Sequence, residues 1–163
     1  MSNKRPKWQI QPSTAKTPNR VETPSGKKTP TIDYAHSPES INQKRPVWRM
    51  GMIDFEGQWG WGNLNSADAF KTIQNRLKSF ETMTWGEIAT KRISKGSPQN
   101  HFMPVSKICK DARDRLKELN LDDLDELYSL RFAARERLWG IRQAEILYIL
   151  WWDHNHSVFP MQY

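Results

Sequence analysis

Apolar positions recur every three or four residues along one early stretch of the chain. After Ser66, the residues Phe70, Ile73, Leu77 and Phe80 would share one face of an amphipathic helix. The hydroxyl of Ser66 suits the N-cap position of that helix. The pattern therefore predicts a helix that begins just after Ser66 and packs this face against a core.

Two further helices are predicted from capping signals. The run Thr84-Trp85-Gly86-Glu87 has the form of a capping box, which predicts a short helix through about Arg92. Ser106 is the predicted N-cap of a third helix, and Asn120 is its predicted left-handed C-cap residue. The buried face of this third helix would consist of Ile108, Ala112, Leu116 and Leu119.

After residue 126 the pattern changes to alternation, which is typical of strands. Residues 128–132 and 137–142 alternate, while residues 146–152 are apolar on both faces and so predict a central strand covered on both sides. The loops between them, residues 133–136 and 143–145, are short and imply an antiparallel meander. Strand-like composition also occurs in residues 47–55, residues 101–105 could be extended, and Trp59 and Trp61 should fold back onto the core. The expected fold is α+β, with helices packed on a three- to four-stranded antiparallel meander.

Charge divides the chain at about residue 49. Residues 1–49 carry ten basic and three acidic side chains, whereas residues 50–163 carry fifteen of each, so the whole net charge of +7 lies in the first part. That part also holds seven of the ten prolines and few apolar residues. We therefore predict a disordered basic tail over residues 1–46 and a single domain over residues 47–163. The tail would either contact nucleic acid phosphates or act as a solubilising leader without a specific partner.

Several classes of protein are excluded or disfavoured. No apolar run is long enough to span a membrane, and the first residues do not resemble a secretory signal, so we expect a cytoplasmic protein without a membrane partner. Cys109 is the only cysteine, which excludes a disulfide framework, and its place beside a helix favours a core role over a nucleophilic one. The glycine-rich residues 57–62 lack the Lys-Ser/Thr ending of a phosphate loop.

Arginine carries the strongest chemical signal. Arg131 and Arg137 lie on neighbouring strands of the predicted meander, Arg142 lies further along, and His156 follows the central strand. Arginine binds phosphate bidentately and stays charged, and histidine transfers protons. We predict Arg131, Arg137 and His156 as catalytic residues acting on an RNA phosphate. In the alternative interpretation these are ordinary surface arginines, some of them paired with Glu136 or Glu145.

A metal site is the weaker interpretation of the histidines. His154 and His156 would point the same way on a strand, and Asp153 or His101 would be the nearest additional ligands. The sequence offers no clear third ligand close to the two histidines, so we predict neither a metal nor a cofactor.

The last strand and the residues around it resemble a family of small, poorly characterised bacterial proteins. The runs that carry the resemblance are Leu127-Tyr128-Ser129-Leu130-Arg131, Arg137-Leu138-Trp139-Gly140-Ile141 and Ile149-Leu150-Trp151-Trp152-Asp153-His154-Asn155-His156-Ser157-Val158-Phe159-Pro160. The upstream run Thr82-Met83-Thr84-Trp85-Gly86-Glu87-Ile88 and His101 fit the same pattern. Members of the family end in a Leu-Trp-Trp-Asp-Pro-x-His-x-Val-Tyr-Pro-like signature. This chain differs in having His154 in place of the proline and Phe159 in place of the tyrosine.

The order of elements is more distantly similar to RelE/ParE-like toxins, in which helices precede an antiparallel sheet with an arginine-bearing strand. This resemblance implies a toxin component that cleaves mRNA, with RNA or the ribosome as its target and an antitoxin protein as its partner. The alternative hypothesis is a non-catalytic accessory protein of a bacterial mobile element that binds nucleic acid or protein through the basic tail.

Overall fold

The computed structural model describes residues 40–93 and 96–160. Their fold is α+β, as predicted, with three α-helices and one five-stranded sheet. The helices are α1 (Ala67–Glu81), α2 (Trp85–Thr90) and α3 (Lys110–Glu118). The strands are β1 (Val47–Arg49), β2 (His101–Pro104), β3 (Glu126–Arg131), β4 (Arg137–Gln143) and β5 (Ile146–Asp153). Within the described ranges, no helix combines the length and the apolar character that a membrane crossing needs.

The sheet differs from the predicted meander at both of its edges. Its strand order is β1-β5-β4-β3-β2, and β1 runs parallel to β5 while every other pair is antiparallel. The prediction of three or four antiparallel strands is therefore wrong in number and in one orientation. The extended character predicted within residues 47–55 and 101–105 is confirmed by β1 and β2, but with only three and four residues these strands carry too little alternation to show that they join the sheet. The parallel orientation of β1 depends on a pairing with a strand far away in the chain.

The meander itself, β3–β4–β5, forms as predicted. Arg131 pairs with Arg137 across the first hairpin, and Gln143 pairs with Ile146 across the second. The second loop is tighter than expected, because Gln143 belongs to β4 and Ala144 takes a left-handed conformation with φ of 53°. The central position of the apolar strand β5, between β1 and β4, is also confirmed.

Helices cover both faces of the sheet. On one face, Ala112 and Leu116 of α3 pack with Trp139, Leu150 and Trp151, all of which are at most 1% exposed. The other face packs against α1 and α2, and its buried residues include Ile73, Phe80, Trp85, Ile88, Tyr128, Leu130, Leu138 and Leu147. Trp59 and Trp61 are buried in these two clusters, as predicted. We call the two sides the α3 face and the α1/α2 face.

Capping signals located the starts of two helices correctly and that of the third incorrectly. Ser66 accepts a hydrogen bond from the amide of Ala69, and Thr84 forms the predicted capping box with Glu87. The third helix does not begin after Ser106. Ser106 lies instead in a short 3-10 turn, Val105–Lys107, and the helix begins at Lys110 with Cys109 at the N-cap. The amide of Cys109 donates to the carbonyl of Val158 at 2.8 Å, and Ile108 and Cys109 are extended, which separates the turn from the helix. The predicted left-handed residue Asn120 is confirmed, with φ of 57°.

Residues 1–39 of the predicted basic tail lie outside the described residues. Residues 40–46, which were assigned to the tail, carry the short 3-10 turn Ile41–Gln43. The carbonyl of Lys44 accepts a hydrogen bond from the amide of Trp85 at 2.9 Å, which attaches this segment to α2. Ordered structure therefore begins before the predicted boundary at residue 46.

Candidate functional site

The register of the meander places Arg131, Arg137 and Asp153 in one row across three strands. Arg131 pairs with Arg137 between β3 and β4, and Arg137 pairs with Asp153 between β4 and β5. Directly paired residues of neighbouring strands lie on the same face of a sheet. Since Trp139, two residues from Arg137, packs in the α3 cluster, the row lies on the α3 face.

Two histidines lie near this row. His101 on β2 pairs with Ser129, which is two residues from Arg131 and so shares its face. His156 is half-buried in the loop after β5 and has φ of 58°. Burial lowers the pKa of His156, and the positive charge of Arg137, with smaller effects of Arg131 and His101, lowers it further against the opposing effect of Asp153. The structure thus brings together the three residues predicted as catalytic, and their catalytic role stays a prediction.

We define the arginine–histidine cluster as His101, Arg131, Arg137 and His156. His101 is not among the residues predicted as catalytic from the sequence, where it is a possible metal ligand and part of the family resemblance. Alternation along β3 places Ser129 on the same face as Arg131. Once β2 is known to pair with β3, the pairing of His101 with Ser129 places His101 on that face as well.

Contacts of the two arginines are with backbone carbonyls of their own hairpin loop. Arg131 donates from Nε to the carbonyl of Ala133 at 3.2 Å. Arg137 donates from Nη1 to the carbonyls of Ala133 at 3.0 Å, Ala134 at 3.4 Å and Glu136 at 2.9 Å. These bonds leave both terminal nitrogens of Arg131, and Nη2 of Arg137, without a protein partner among the residues that the structure describes. The loop contacts therefore fix the two guanidinium groups and leave donors open.

Neither arginine forms an ion pair with a carboxylate in residues 40–93 and 96–160. The alternative in which they pair with Glu136 or Glu145 is not observed there, and Glu145 pairs instead with Lys44 at 3.3 Å. Arg137 is only 8% exposed, and burial, together with the nearby charge of Arg131, lowers its pKa to about 10. Arg137 is still charged at neutral pH. The site is thus a partly buried concentration of positive charge, which favours the binding of an anion.

Asp153 anchors the loop that carries His156. Its carboxylate is fully buried and accepts hydrogen bonds from the amides of Ser157 at 2.9 Å and Val158 at 3.0 Å. It also accepts longer bonds from the hydroxyl of Ser157 at 3.2 Å, the amide of Asn155 at 3.3 Å and Nε1 of Trp139 at 3.4 Å. These contacts fix Asp153, which in turn positions the loop of His156. Asp153 forms no ion pair with Arg137, and its negative charge only partly opposes the effect of burial on the pKa of Arg137.

Arg142 and Arg135 lie outside the cluster. The guanidinium carbon of Arg142 lies on the α1/α2 face, 3.9 Å from the ring centroid of Trp85 and 5.1 Å from that of Tyr128. Arg142 is therefore held by cation–π contacts on the opposite face of the sheet. Arg135 is exposed in the β3–β4 loop. Among Arg131, Arg135, Arg137 and Arg142, which lie on the meander or in its first loop, only Arg131 and Arg137 contribute to the site.

The histidines show no arrangement suited to a metal. Among the residues that the structure describes, no group of three or more His, Cys, Asp or Glu side chains is placed to hold an ion. His154 is exposed, and its Nε2 lies 2.9 Å from Nδ2 of Asn155. The chemistry available at this site is therefore anion binding by the arginines combined with proton transfer by the histidines.

Comparisons with known proteins add no identification. No family model, no curated protein and no solved structure matches the chain. The resemblance to RelE/ParE-like toxins, and to the bacterial family with the related final signature, accordingly stays a prediction.

Proposed function

We propose that this protein cleaves RNA at the arginine–histidine cluster, as a toxin component of the RelE-like kind would. The observation that carries the proposal is the pairing of Arg131 with Arg137 across β3 and β4, without a carboxylate partner in the described residues and beside His156. Two fixed cations next to a group that can transfer a proton suit a phosphodiester. As a toxin component, the protein would have an antitoxin protein as its partner.

Binding of the phosphate is assigned mainly to Arg131. Its side chain is half-buried and both of its terminal nitrogens are open, so it can present a bidentate fork to two phosphate oxygens. Arg137 is more deeply buried and is held by three carbonyls of the loop. It would act as a fixed positive charge that stabilises the charge developing on the phosphate in the transition state.

The proposed reaction is attack of a ribose 2′-hydroxyl on the adjacent phosphorus. The bond from the 2′ oxygen to phosphorus forms, the bond from phosphorus to the 5′ oxygen breaks, and a cyclic 2′,3′-phosphate is released. His156 is suited to accept the proton of the 2′-hydroxyl, because its lowered pKa keeps it neutral at pH 7. His101 is proposed to return a proton to the leaving 5′ oxygen, since it lies on the neighbouring strand β2 of the same face.

Inducible expression in bacteria, combined with incubation of the purified protein with RNA, tests this function. Wild-type protein should arrest growth and produce fragments with cyclic phosphate ends. Arg131→Ala and His156→Ala should each lower the cleavage rate by about a hundredfold or more. Arg137→Lys is preferred to Arg137→Ala because it keeps the charge of this partly buried position, and it should reduce cleavage less than Arg131→Ala does.

Arg113→Ala provides the matched control, since Arg113 is exposed on α3 and forms no ion pair in the described part of the chain. This variant should cleave at the wild-type rate. Each variant should also keep the wild-type melting temperature within a few degrees, which separates loss of chemistry from loss of fold. A wild-type protein that neither arrests growth nor cuts RNA would exclude the enzymatic proposal.

A second candidate function is a non-catalytic accessory that binds nucleic acid. It is favoured by a different observation, the confinement of the net charge of +7 to residues 1–49. In this case binding should depend steeply on salt, and Lys27→Gln with Lys28→Gln should reduce the salt slope for single-stranded RNA by about 1.4 if both lysines contact phosphates. Arg131→Ala would then leave the affinity unchanged.

A further inference from the structure

We infer that a cavity beside the arginine–histidine cluster binds a nucleobase of the RNA. The cavity has a volume of about 390 Å³, and its chemically distinctive walls are Gln58, Asn63, Asn65, Glu136, Trp152 and His154. We call it the amide cavity. The inference rests on the proposed function, because it gives the RNA a second point of recognition next to the phosphate.

The position of the amide cavity follows from the ends of β4 and β5. Glu136 directly precedes Arg137 of the cluster, and His154 directly follows Asp153, the cross-strand partner of Arg137. Consecutive residues of a strand point to opposite faces. Trp152, which lines the cavity, packs in the cluster of the α1/α2 face, whereas Arg137 lies on the α3 face. The cavity and the cluster therefore lie on opposite faces at the same end of the sheet, and the inferred nucleotide passes over this end.

Several polar groups of the cavity are free to bind a ligand. The side chains of Gln58, Asn65 and Glu136 have no hydrogen-bond or ion-pair partner in residues 40–93 and 96–160. Asn63 is fixed, since its Nδ2 donates to the carbonyls of Gly57 at 2.8 Å and Gln58 at 3.3 Å, and its oxygen stays available. Amide side chains offer both donors and acceptors, which is the combination that the polar edges of bases require.

An aromatic ring supplies a surface for stacking. Trp152 is half-buried, lines the cavity and is held edge-on by Phe132, with ring centroids 5.2 Å apart. Stacking on such a fixed aromatic ring is a main source of affinity for single-stranded nucleic acids.

Charge decides which part of the nucleotide enters the cavity. The carboxylate of Glu136 repels a phosphate but accepts hydrogen bonds from the amino group of a base. The cluster on the other side carries positive charge and suits the phosphate. The same end of the sheet is thus divided into a place for the base and a place for the phosphate.

Calorimetric titration of the full chain with two ligands tests the inference. Guanosine 3′-monophosphate carries both a base and a phosphate, whereas ribose 5-phosphate carries no base. The guanosine nucleotide should bind about tenfold or more tightly than ribose 5-phosphate. Asn65→Ala should reduce that difference several-fold without changing the affinity for ribose 5-phosphate. Glu136→Gln should also reduce the difference, and it should raise the affinity for ribose 5-phosphate slightly because it removes a charge that repels phosphate. Asn75→Ala, at an exposed position of α1 that does not line the cavity, should behave as wild type.

The phosphate site and the base site fail in different ways in this experiment. Equal affinity for the two ligands, or loss of guanosine binding in Asn75→Ala as large as in Asn65→Ala, would overturn the base site. An Arg131→Ala variant that binds both ligands like wild type would overturn the proposed phosphate site while leaving the base site supported. Binding of neither ligand by the wild-type chain would overturn both.

Discussion

Asp54 and Arg115 form a bidentate ion pair that joins the loop after β1 to α3. Nε of Arg115 donates to Asp54 at 2.9 Å, and Nη2 donates at 2.7 Å. Nε1 of Trp151 in β5 donates to the same carboxylate at 2.9 Å. Burial acts to raise the pKa of Asp54, but the hydrogen bonds from Arg115 and Trp151 outweigh it and hold the pKa below its ordinary value of 3.8. One carboxylate thus connects three parts of the fold.

Removal of this carboxylate should destabilise the protein strongly. We expect Asp54→Ala to reduce the free energy of unfolding by about 3–5 kcal/mol, because Arg115 and the indole of Trp151 lose their common partner. Urea denaturation measures the change. Asp111→Ala, at an exposed position of α3, is the control and should stay within about 0.5 kcal/mol of wild type. Equal losses in the two variants would show that the pair contributes little.

The indole of Trp151 should contribute a similar amount through packing. Trp151 is fully buried, and its ring centroid lies 5.4 Å from that of Trp59. Trp151→Ala is expected to lower the free energy of unfolding by about 3–5 kcal/mol, since the cavity that it leaves lies between the sheet and α3. Phe55→Ala, which truncates an aromatic ring that is 68% exposed, should have little effect. A loss below roughly 1 kcal/mol for Trp151→Ala would contradict the described packing.

Gly140 should tolerate no side chain, because the register of β4 and β5 shifts there. A Cβ atom at this position would lie 2.4 Å from the carbonyl oxygen of Tyr148. Gly140→Ala should therefore destabilise the fold by about 1–3 kcal/mol, as overpacking does. Gly51→Ala is the matched control, since nothing lies within 4 Å of the added carbon. Similar unfolding midpoints for the two variants would argue against the shifted register.

Protonation of His156 should make the stability depend on pH. Its folded-state pKa is lowered from the ordinary 6.5 by burial and by the charge of Arg137, so below pH 6.5 the unfolded chain binds this proton more readily. The contribution of neutral His156 is fully present above pH 6.5 and is lost as the pH falls from there through the folded-state pKa. Denaturant titrations between pH 7.5 and pH 5 should accordingly show a shallower loss for His156→Gln than for wild type. His154→Gln, in an exposed residue of the same loop, should keep the wild-type slope.

The sequence predicts a helix boundary correctly where the hydrogen bonds that define it join residues only a few positions apart. The capping box of α2 needs only Thr84 and Glu87, and the left-handed Asn120 needs only its own backbone. The predicted start of α3 is wrong because the backbone before the helix bonds to the carbonyl of Val158, a contact that no local pattern around Ser106 can indicate. Long-range pairing likewise adds β1 and β2 to the sheet.

The sequence predicts the parts of the candidate site that depend on local structure and misses those that depend on distant contacts. A short hairpin fixes its own register, so Arg131 and Arg137 could be placed on neighbouring strands from the sequence. The anchoring role of Asp153 could not, because its partners lie in a loop without periodicity. The amide cavity could not be predicted from the sequence either, because it forms only where residues 58–65 meet the ends of β4 and β5.

The parallel pairing of β1 with β5 has a consequence for synthesis on the ribosome. Asp54 and Trp151, which bond beside this pair of strands, are 97 residues apart in the chain. Because β5 is also the strand that separates β1 from the rest of the sheet, β1 has no strand to pair with until β5 has been translated. The sheet is therefore completed only after β5 has been translated, and a nascent chain stalled before β5 would expose its apolar strands to proteases and to aggregation.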